Sequence, residues 1–157
     1  ARDGQGCELL GVAPAGKVTY PGDPSPANIE NGTPLEPNHS HFVLVEGDEW
    51  GSETDMMFKL AGALNVPVAT TLIKGGSIAG SEALRSVCNG WQLLVVEGSG
   101  RFADQLSAAV RTAALNTSTT IKEITRSGRV KLFSIDKSAL GLKSLLQQIL
   151  YAGSARS

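Results

Sequence analysis

The chain has few of the residues that serve as metal ligands or covalent cross-links. It holds two cysteines and two histidines among 157 residues. Cys7 and Cys88 stand far apart without the spacing of a zinc site, and isolated thiols of this kind are typical of a reducing compartment. We therefore expect a cytoplasmic protein with neither a disulfide nor a metal site, and no cofactor is predicted.

An excess of one charge and long apolar runs are lacking as well. Fourteen basic residues stand against fifteen acidic ones, a formal net charge of −1, and there is no basic block. Nonspecific nucleic-acid binding depends on neutralising phosphates and is therefore disfavoured. No apolar run approaches the roughly 18 residues of a membrane-spanning helix, so no membrane partner is predicted.

Aromatic residues are also scarce, at 5%, whereas glycine is abundant, with 18 residues. Glycine in this number suits a fold with many tight junctions between strands and helices. The length suits one domain with a substantial core. We expect a single domain over residues 1–157.

Apolar runs of strand length alternate with helical patterns along the chain. Strands are predicted at residues 8–12, 41–45, 66–73, 91–96 and 130–135, and helices at positions following Ser52, Gly76 and Ser99, at 121–125 and around 142–149. This alternation predicts an α/β fold, a Rossmann-like parallel sheet with helices on both faces.

Two segments do not fit the alternation. Residues Ala1–Gly6 resemble the end of a helix with a glycine stop, so the fold is predicted to lack its first strand–helix unit. Six of the seven prolines fall between Pro14 and Pro37, and a segment of this length without periodicity is usually a functional loop. We expect residues 14–38 to form a long loop near the ligand.

The stretch Gly98-Ser99-Gly100-Arg101 is the most informative part of the chain. It joins a buried strand to a helix, where backbone N–H groups and the helix dipole favour an anion. Arg101 adds a planar fork suited to phosphate. A tight turn with a surface arginine is an equally good interpretation of these residues alone.

A second turn, Gly75-Gly76-Ser77, follows the preceding strand. The carboxyl ends of neighbouring parallel strands lie at one edge of a sheet, so both turns would direct backbone donors at one crevice. We predict that the two turns together bind a phosphate-bearing small ligand.

Trp50 and Glu82 are further candidates. Trp50 lies in a polar loop after a strand, where it would stack on a base or simply cover the rim of the loop. Glu82 lies on the helix that the double glycine opens. It would act as a general base, hold a ribose hydroxyl, or only complement the helix dipole.

Four blocks of this sequence resemble a known family. In order they are Gly11–Val18, Asn38–Val45, Gly75-Gly76 and Glu97–Asp104. The same order is found in the cytosolic N-terminal domain of TRPM channels and in its prokaryotic relatives, the LSDAT group of the SLOG superfamily, to which the LOG and DprA/Smf proteins also belong. The resemblance implies a Rossmann-like domain that binds a nucleotide-derived ligand of the ADP-ribose or NAD type. It also implies that Arg101 contacts phosphate and that Trp50 stacks on the base.

The resemblance leaves three functions open. The favoured one is a sensor or signalling module that binds a nucleotide derivative. The second is LOG-like cleavage of the N-glycosidic bond of nucleoside monophosphates, with Glu82 catalytic, although Ile78 and Ala79 replace the Gly-Thr of those enzymes. The third is a structural module without a ligand. Because LOG proteins are commonly dimers, a homo-oligomer is a plausible partner state.

Overall fold

The structure is a computed structural model that describes residues 8–23, 32–112 and 117–152. It divides into two compact units, an N-terminal unit up to Leu64 and a C-terminal unit from Asn65 onward. The strands of each unit pair in parallel, and helices alternate with strands along the chain. The predicted α/β fold class with parallel strands is confirmed.

In its described residues, the N-terminal unit has two pairs of parallel strands. In chain order its elements are β1 (Leu10–Pro14), a short 3-10 helix (Ala15–Lys17), β2 (Val18–Thr19), β3 (Thr33–Pro34), β4 (His41–Val45) and α1 (Thr54–Ala63). Strand β1 pairs with β4, with Leu10 opposite His41, and β2 pairs with β3. The predicted strand 41–45 is therefore present with its predicted bounds.

The proline-rich segment differs from the prediction. Its described residues contain β2 and β3, where we expected only a loop, because two-residue strands are too short to leave a periodicity in the sequence. Residues 24–31 of this segment lie outside the described residues, as do Ala1–Gly6 and Cys7. Cys88, the last residue of the second helix, is exposed.

The helix predicted to follow Ser52 is present as α1, which begins at Thr54. Ser52 has the residue type of a helix cap, but the position before the helix belongs to Glu53. The Ser52 hydroxyl instead donates to the carbonyl oxygen of Glu49 at 2.7 Å. The hydroxyl is thus committed to the preceding turn, a local competition that sequence spacing does not resolve.

The described residues of the C-terminal unit form three strands and four helices. In chain order they are β5 (Ala69–Leu72), α2 (Ser77–Cys88), β6 (Gln92–Glu97), α3 (Arg101–Thr112), α4 (Thr119–Arg126), β7 (Val130–Ser134) and α5 (Ala139–Ala152). The strands form a parallel sheet in the order β5-β6-β7. Each connection between them contains at least one helix, as parallel pairing requires.

The core of this unit lies between the sheet and three helices. Leu93 and Val95 are fully buried on one face of β6 and belong to one cluster with Leu106 of α3 and Ile124 of α4. The alternate residues of β6 point to the other face, as the strand geometry dictates. There α5 passes close to the ring of Phe133 on β7. Helices therefore cover both faces of the sheet in the C-terminal unit.

Candidate functional site at the paired turns

Both glycine turns lie at the same edge of the C-terminal sheet. The turn 74–77 follows β5 and opens α2, and the turn 97–101 follows β6 and opens α3. Because β5 and β6 are adjacent and parallel, their carboxyl ends are neighbours. This is the edge at which ligands bind in open α/β sheets.

Hydrogen bonds join the two turns directly. The N–H groups of Phe102 and Ala103 donate to the carbonyl oxygens of Gly75 and Lys74, at 3.3 and 2.9 Å. The Lys74 N–H donates to the hydroxyl oxygen of Ser99 at 2.9 Å. The two turns that the sequence places at one edge are thus in contact, and we refer to residues 74–77 and 97–101 together as the paired turns.

The Ser99 side chain connects the two turns by hydrogen bonds. Its side chain is buried, with only 6% of its surface exposed. The hydroxyl accepts from Lys74 and donates to the carbonyl oxygen of Val96 at 2.6 Å. Both of its hydrogen-bonding functions serve the protein itself, so the Ser99 side chain shapes the site.

Two amides that the sequence analysis assigned to a phosphate have acceptors inside the protein. The Gly98 N–H donates to Oδ1 of Asp104 at 2.7 Å, and the Ser99 N–H donates to the Val96 carbonyl at 3.4 Å. The Asp104 carboxylate is therefore the negative charge that the start of α3 favours, and its bond to Gly98 closes the loop. In the part of the chain that is described, the amides of Gly100 and Arg101 have no such acceptor. An added Cβ on Gly100 would meet no atom within 4 Å, so this backbone faces open space.

The backbone of the paired turns is held in left-handed conformations. Gly75, Gly98 and Gly100 have φ values of 78°, 85° and 98°. Lys74 and Arg101 are not glycines, yet their φ values are 56° and 55°. A non-glycine residue in this region costs of order 1–3 kcal/mol, and such residues cluster at binding sites.

The two strained residues are also the two cations of the site. The side chains of Lys74 and Arg101 are both exposed. Within the described residues neither forms an ion pair with an acidic side chain. Lys74 was not among the predicted site residues, although its position immediately before the double glycine was an available signal.

One ion pair lies next to the paired turns and joins the end of β6 to α3. Arg111 of α3 donates through Nε and Nη2 to the two carboxylate oxygens of Glu97, at 2.5 and 2.6 Å. The hydrogen bond from Arg111 is the main cause that lowers the pKa of Glu97 below its ordinary value of 4.5. This bidentate contact fixes the end of β6 against α3.

The remaining predicted residues lie outside the contact between the turns. Ser77 is the exposed first residue of α2, and Glu82 is half-buried one turn further along that helix. Trp50 follows β4 in the N-terminal unit, with 48% of its surface exposed. The roles of Glu82 and Trp50 stay predictions from the sequence.

His39 and His41 are engaged by carboxylates at the start of β4. His39 Nδ1 lies 3.0 Å from Oε2 of Glu36, and His41 Nδ1 lies 3.6 Å from Oε2 of Glu8. His39 also contacts the ring of Phe42, with the ring centroids 5.1 Å apart. These contacts give the His39 imidazole a hydrogen-bonding and packing role, whereas His41 is exposed and makes only the longer contact with Glu8. Among the described helices, none is both long and apolar enough to cross a bilayer.

Curated relatives of the chain are found among cation channels. The transient receptor potential cation channel subfamily M member 2 of Rattus norvegicus is 31% identical over 92 residues, and that of Mus musculus is 30% identical over 92 residues. Each match covers 49% of this chain and 6% of the channel. The subfamily M member-like 2 protein of Nematostella vectensis is 30% identical over 107 residues, which is 57% of this chain and 7% of that protein.

The chain thus spans only a small fraction of the length of these channels. A match to a protein family covers far more of it. The family is described as "SLOG in TRPM, prokaryote", and its model matches residues 1–142. The chain belongs to this prokaryotic family of SLOG domains related to TRPM channels.

Proposed function

We propose that the chain binds a nucleotide-derived ligand, of the ADP-ribose or nucleoside-phosphate class, at the paired turns and acts as a cytoplasmic sensor or signalling module. The observation that carries the proposal is the joint placement of two strained, exposed cations, Lys74 and Arg101, beside the open backbone of Gly100. Residues are kept in such conformations where function requires it.

The geometry supports a phosphate group as the recognised part of the ligand. The free amides of Gly100 and Arg101 lie at the start of α3, where the helix dipole favours negative charge. The Arg101 guanidinium can donate to two phosphate oxygens at once, and the Lys74 ammonium adds a point charge. Gly75, Gly76 and Ser77 line the neighbouring turn, while Gly98 and Ser99 hold the cradle in shape.

The nucleotide part of the proposal rests on family membership rather than on geometry. The chain belongs to a SLOG family, and the blocks that carry the resemblance include both turns. A base-stacking role for Trp50 belongs to this part of the proposal.

Isothermal titration calorimetry with ADP-ribose tests the proposal. Arg101→Ala removes a charge-assisted hydrogen bond, so we expect binding to weaken by about 1.5–3 kcal/mol, or roughly 10- to 100-fold. Arg126→Ala, an exposed arginine at the end of α4, is the matched control and should bind as the wild type does. An equal dissociation constant for Arg101→Ala and wild type would reject the role of Arg101.

The same protein preparation distinguishes the other functions. Release of free adenine from AMP, lost in Glu82→Gln, would support the N-glycosidic hydrolase instead. Absence of any thermal shift with ADP-ribose, NAD or AMP would support a structural module. Light scattering with and without ADP-ribose tests the predicted homo-oligomer.

A further inference from the structure

A cleft opens at the end of the C-terminal sheet opposite the paired turns. It lies where β5, β6 and β7 begin, under the second half of α5, and has a volume of about 750 Å³. Strand β6 has six residues, so the cleft and the paired turns are separated by roughly 20 Å. Ligand pockets commonly have volumes of about 300–1,000 Å³, and this cleft falls within that range.

Part of the lining, which we call the apolar wall, consists of apolar side chains. Leu145 and Ile149 of α5 line the cleft together with Val66 and Trp91. None of the side chains of α5 that the structure describes is fully buried, and Val66 is 56% exposed. The wall therefore keeps apolar surface that a ligand would remove from water.

The lining of the cleft is also cationic. Arg129 and Lys131 line the cleft, and no acidic residue does. Nη1 of Arg129 donates to the carbonyl oxygen of Gly90 at 2.7 Å, which fixes the guanidinium while leaving its other donors available. In the described ranges neither cation is neutralised by an ion pair.

The lining of the cleft includes an amide oxygen without a hydrogen-bond partner among the described residues. The atom is Oε1 of Gln92, and it is buried. An unpaired buried carbonyl oxygen is costly.

From this combination we propose that the cleft is a second binding site, for a small amphipathic anion with an apolar or aromatic body and one carboxylate, sulfonate or phosphate group. The body packs against Leu145, Ile149 and Trp91, and the anionic group lies against Arg129 and Lys131. Because the cleft and the paired turns occupy opposite ends of the strands, both sites can be filled at once.

Two fluorescent probes of similar shape and different charge test this proposal. Anilinonaphthalene sulfonate is an aromatic anion, and N-phenylnaphthylamine is a neutral counterpart without the sulfonate. We expect saturable binding of the sulfonate to the intact chain. Lys131→Gln should weaken it by at least about tenfold and leave binding of the neutral probe unchanged. Lys122→Gln on α4 is the matched control and should change neither.

Energy transfer locates the bound probe. The chain has two tryptophans, so the variant Trp50→Phe leaves Trp91 as the sole donor. We expect strong transfer from Trp91 to bound anilinonaphthalene sulfonate, and we expect Ile149→Trp, which fills the cleft, to abolish binding of both probes. Circular dichroism checks that each variant is folded. If Ile149→Trp does not fold, the affinity of Lys131→Gln for the sulfonate decides the outcome.

Three results would overturn the proposal. They are no saturable binding of the sulfonate, equal affinity for it in Lys131→Gln and wild type, and displacement of the bound sulfonate by ADP-ribose. The last would mean that the two ligands share one site. Failure of ADP-ribose itself to bind would reject the proposed function without affecting the proposal for the cleft.

Discussion

At the scale of single residues, the paired turns contain glycines that the fold uses differently. Gly75 and Gly100 both have positive φ values. An added Cβ on Gly75 would lie only 2.6 Å from the Cβ of Ala79, whereas one on Gly100 would meet nothing within 4 Å. Gly75 is therefore required for both conformation and close packing, and Gly100 for conformation alone.

We expect Gly75→Ala to lower the free energy of unfolding by about 2–4 kcal/mol, since backbone strain and steric overlap act together. Gly100→Ala carries the backbone cost alone and should lower it by about 1–2 kcal/mol. Urea denaturation of both variants measures the difference. Equal losses would show that the predicted overlap with Ala79 is relieved without cost.

Ser99 supports a second prediction at this scale. Ser99→Ala leaves the part-buried Lys74 N–H without its acceptor. It also removes the hydroxyl bond to the buried Val96 carbonyl, which keeps only the longer bond from the Ser99 N–H. We expect a loss of about 1–3 kcal/mol in the free energy of unfolding. Ser81→Ala removes an exposed hydroxyl that bonds only within α2 and should stay within about 0.5 kcal/mol of wild type. If Ser99→Ala lowers the free energy of unfolding as little as Ser81→Ala does, the hydrogen bonds of Ser99 do not hold the two turns together.

At the scale of elements, Glu97 and Arg111 connect the end of β6 to α3, and their contact depends on pH. The folded state lowers the pKa of Glu97, so the pair adds stability above the ordinary value of 4.5. That contribution falls away as the pH drops below 4.5 and through the lowered pKa of the folded state.

We therefore expect wild type to lose more stability than Glu97→Gln between about pH 6 and about pH 3.5, because the amide in the variant does not titrate. Urea denaturation at both pH values provides the test, with Glu123→Gln on α4 as control. High salt should reduce the difference, since both side chains are partly exposed. Identical pH profiles for Glu97→Gln and wild type would show that the ion pair does not stabilise the fold.

The elements also show where sequence patterns are sufficient. Long periodic segments predicted the helices α2, α3 and α5. The apolar runs predicted the strands β4, β6 and β7, with bounds correct to within about two residues. Strand β5 is shorter than its apolar run, because Val66 and Val68 precede the paired residues and line the cleft instead.

At the scale of the whole molecule, the sequence predicted the family and the edge of the sheet where the two turns meet. It did not predict which amides stay free, since the bonds from Gly98 to Asp104 and from Ser99 to Val96 depend on the loop conformation. The sequence also did not indicate the left-handed conformation of Lys74 or the cleft beside α5. Both arise from contacts between segments that are distant in the sequence.

The most direct test of the central claim is a nuclear magnetic resonance titration of the ¹⁵N-labelled chain with ADP-ribose. Saturable shifts are expected, largest for the amides of Gly100 and Arg101, with further shifts over residues 74–77. Saturable shifts confined to other parts of the chain, or no shifts at any concentration of ADP-ribose, would contradict a phosphate site at the paired turns.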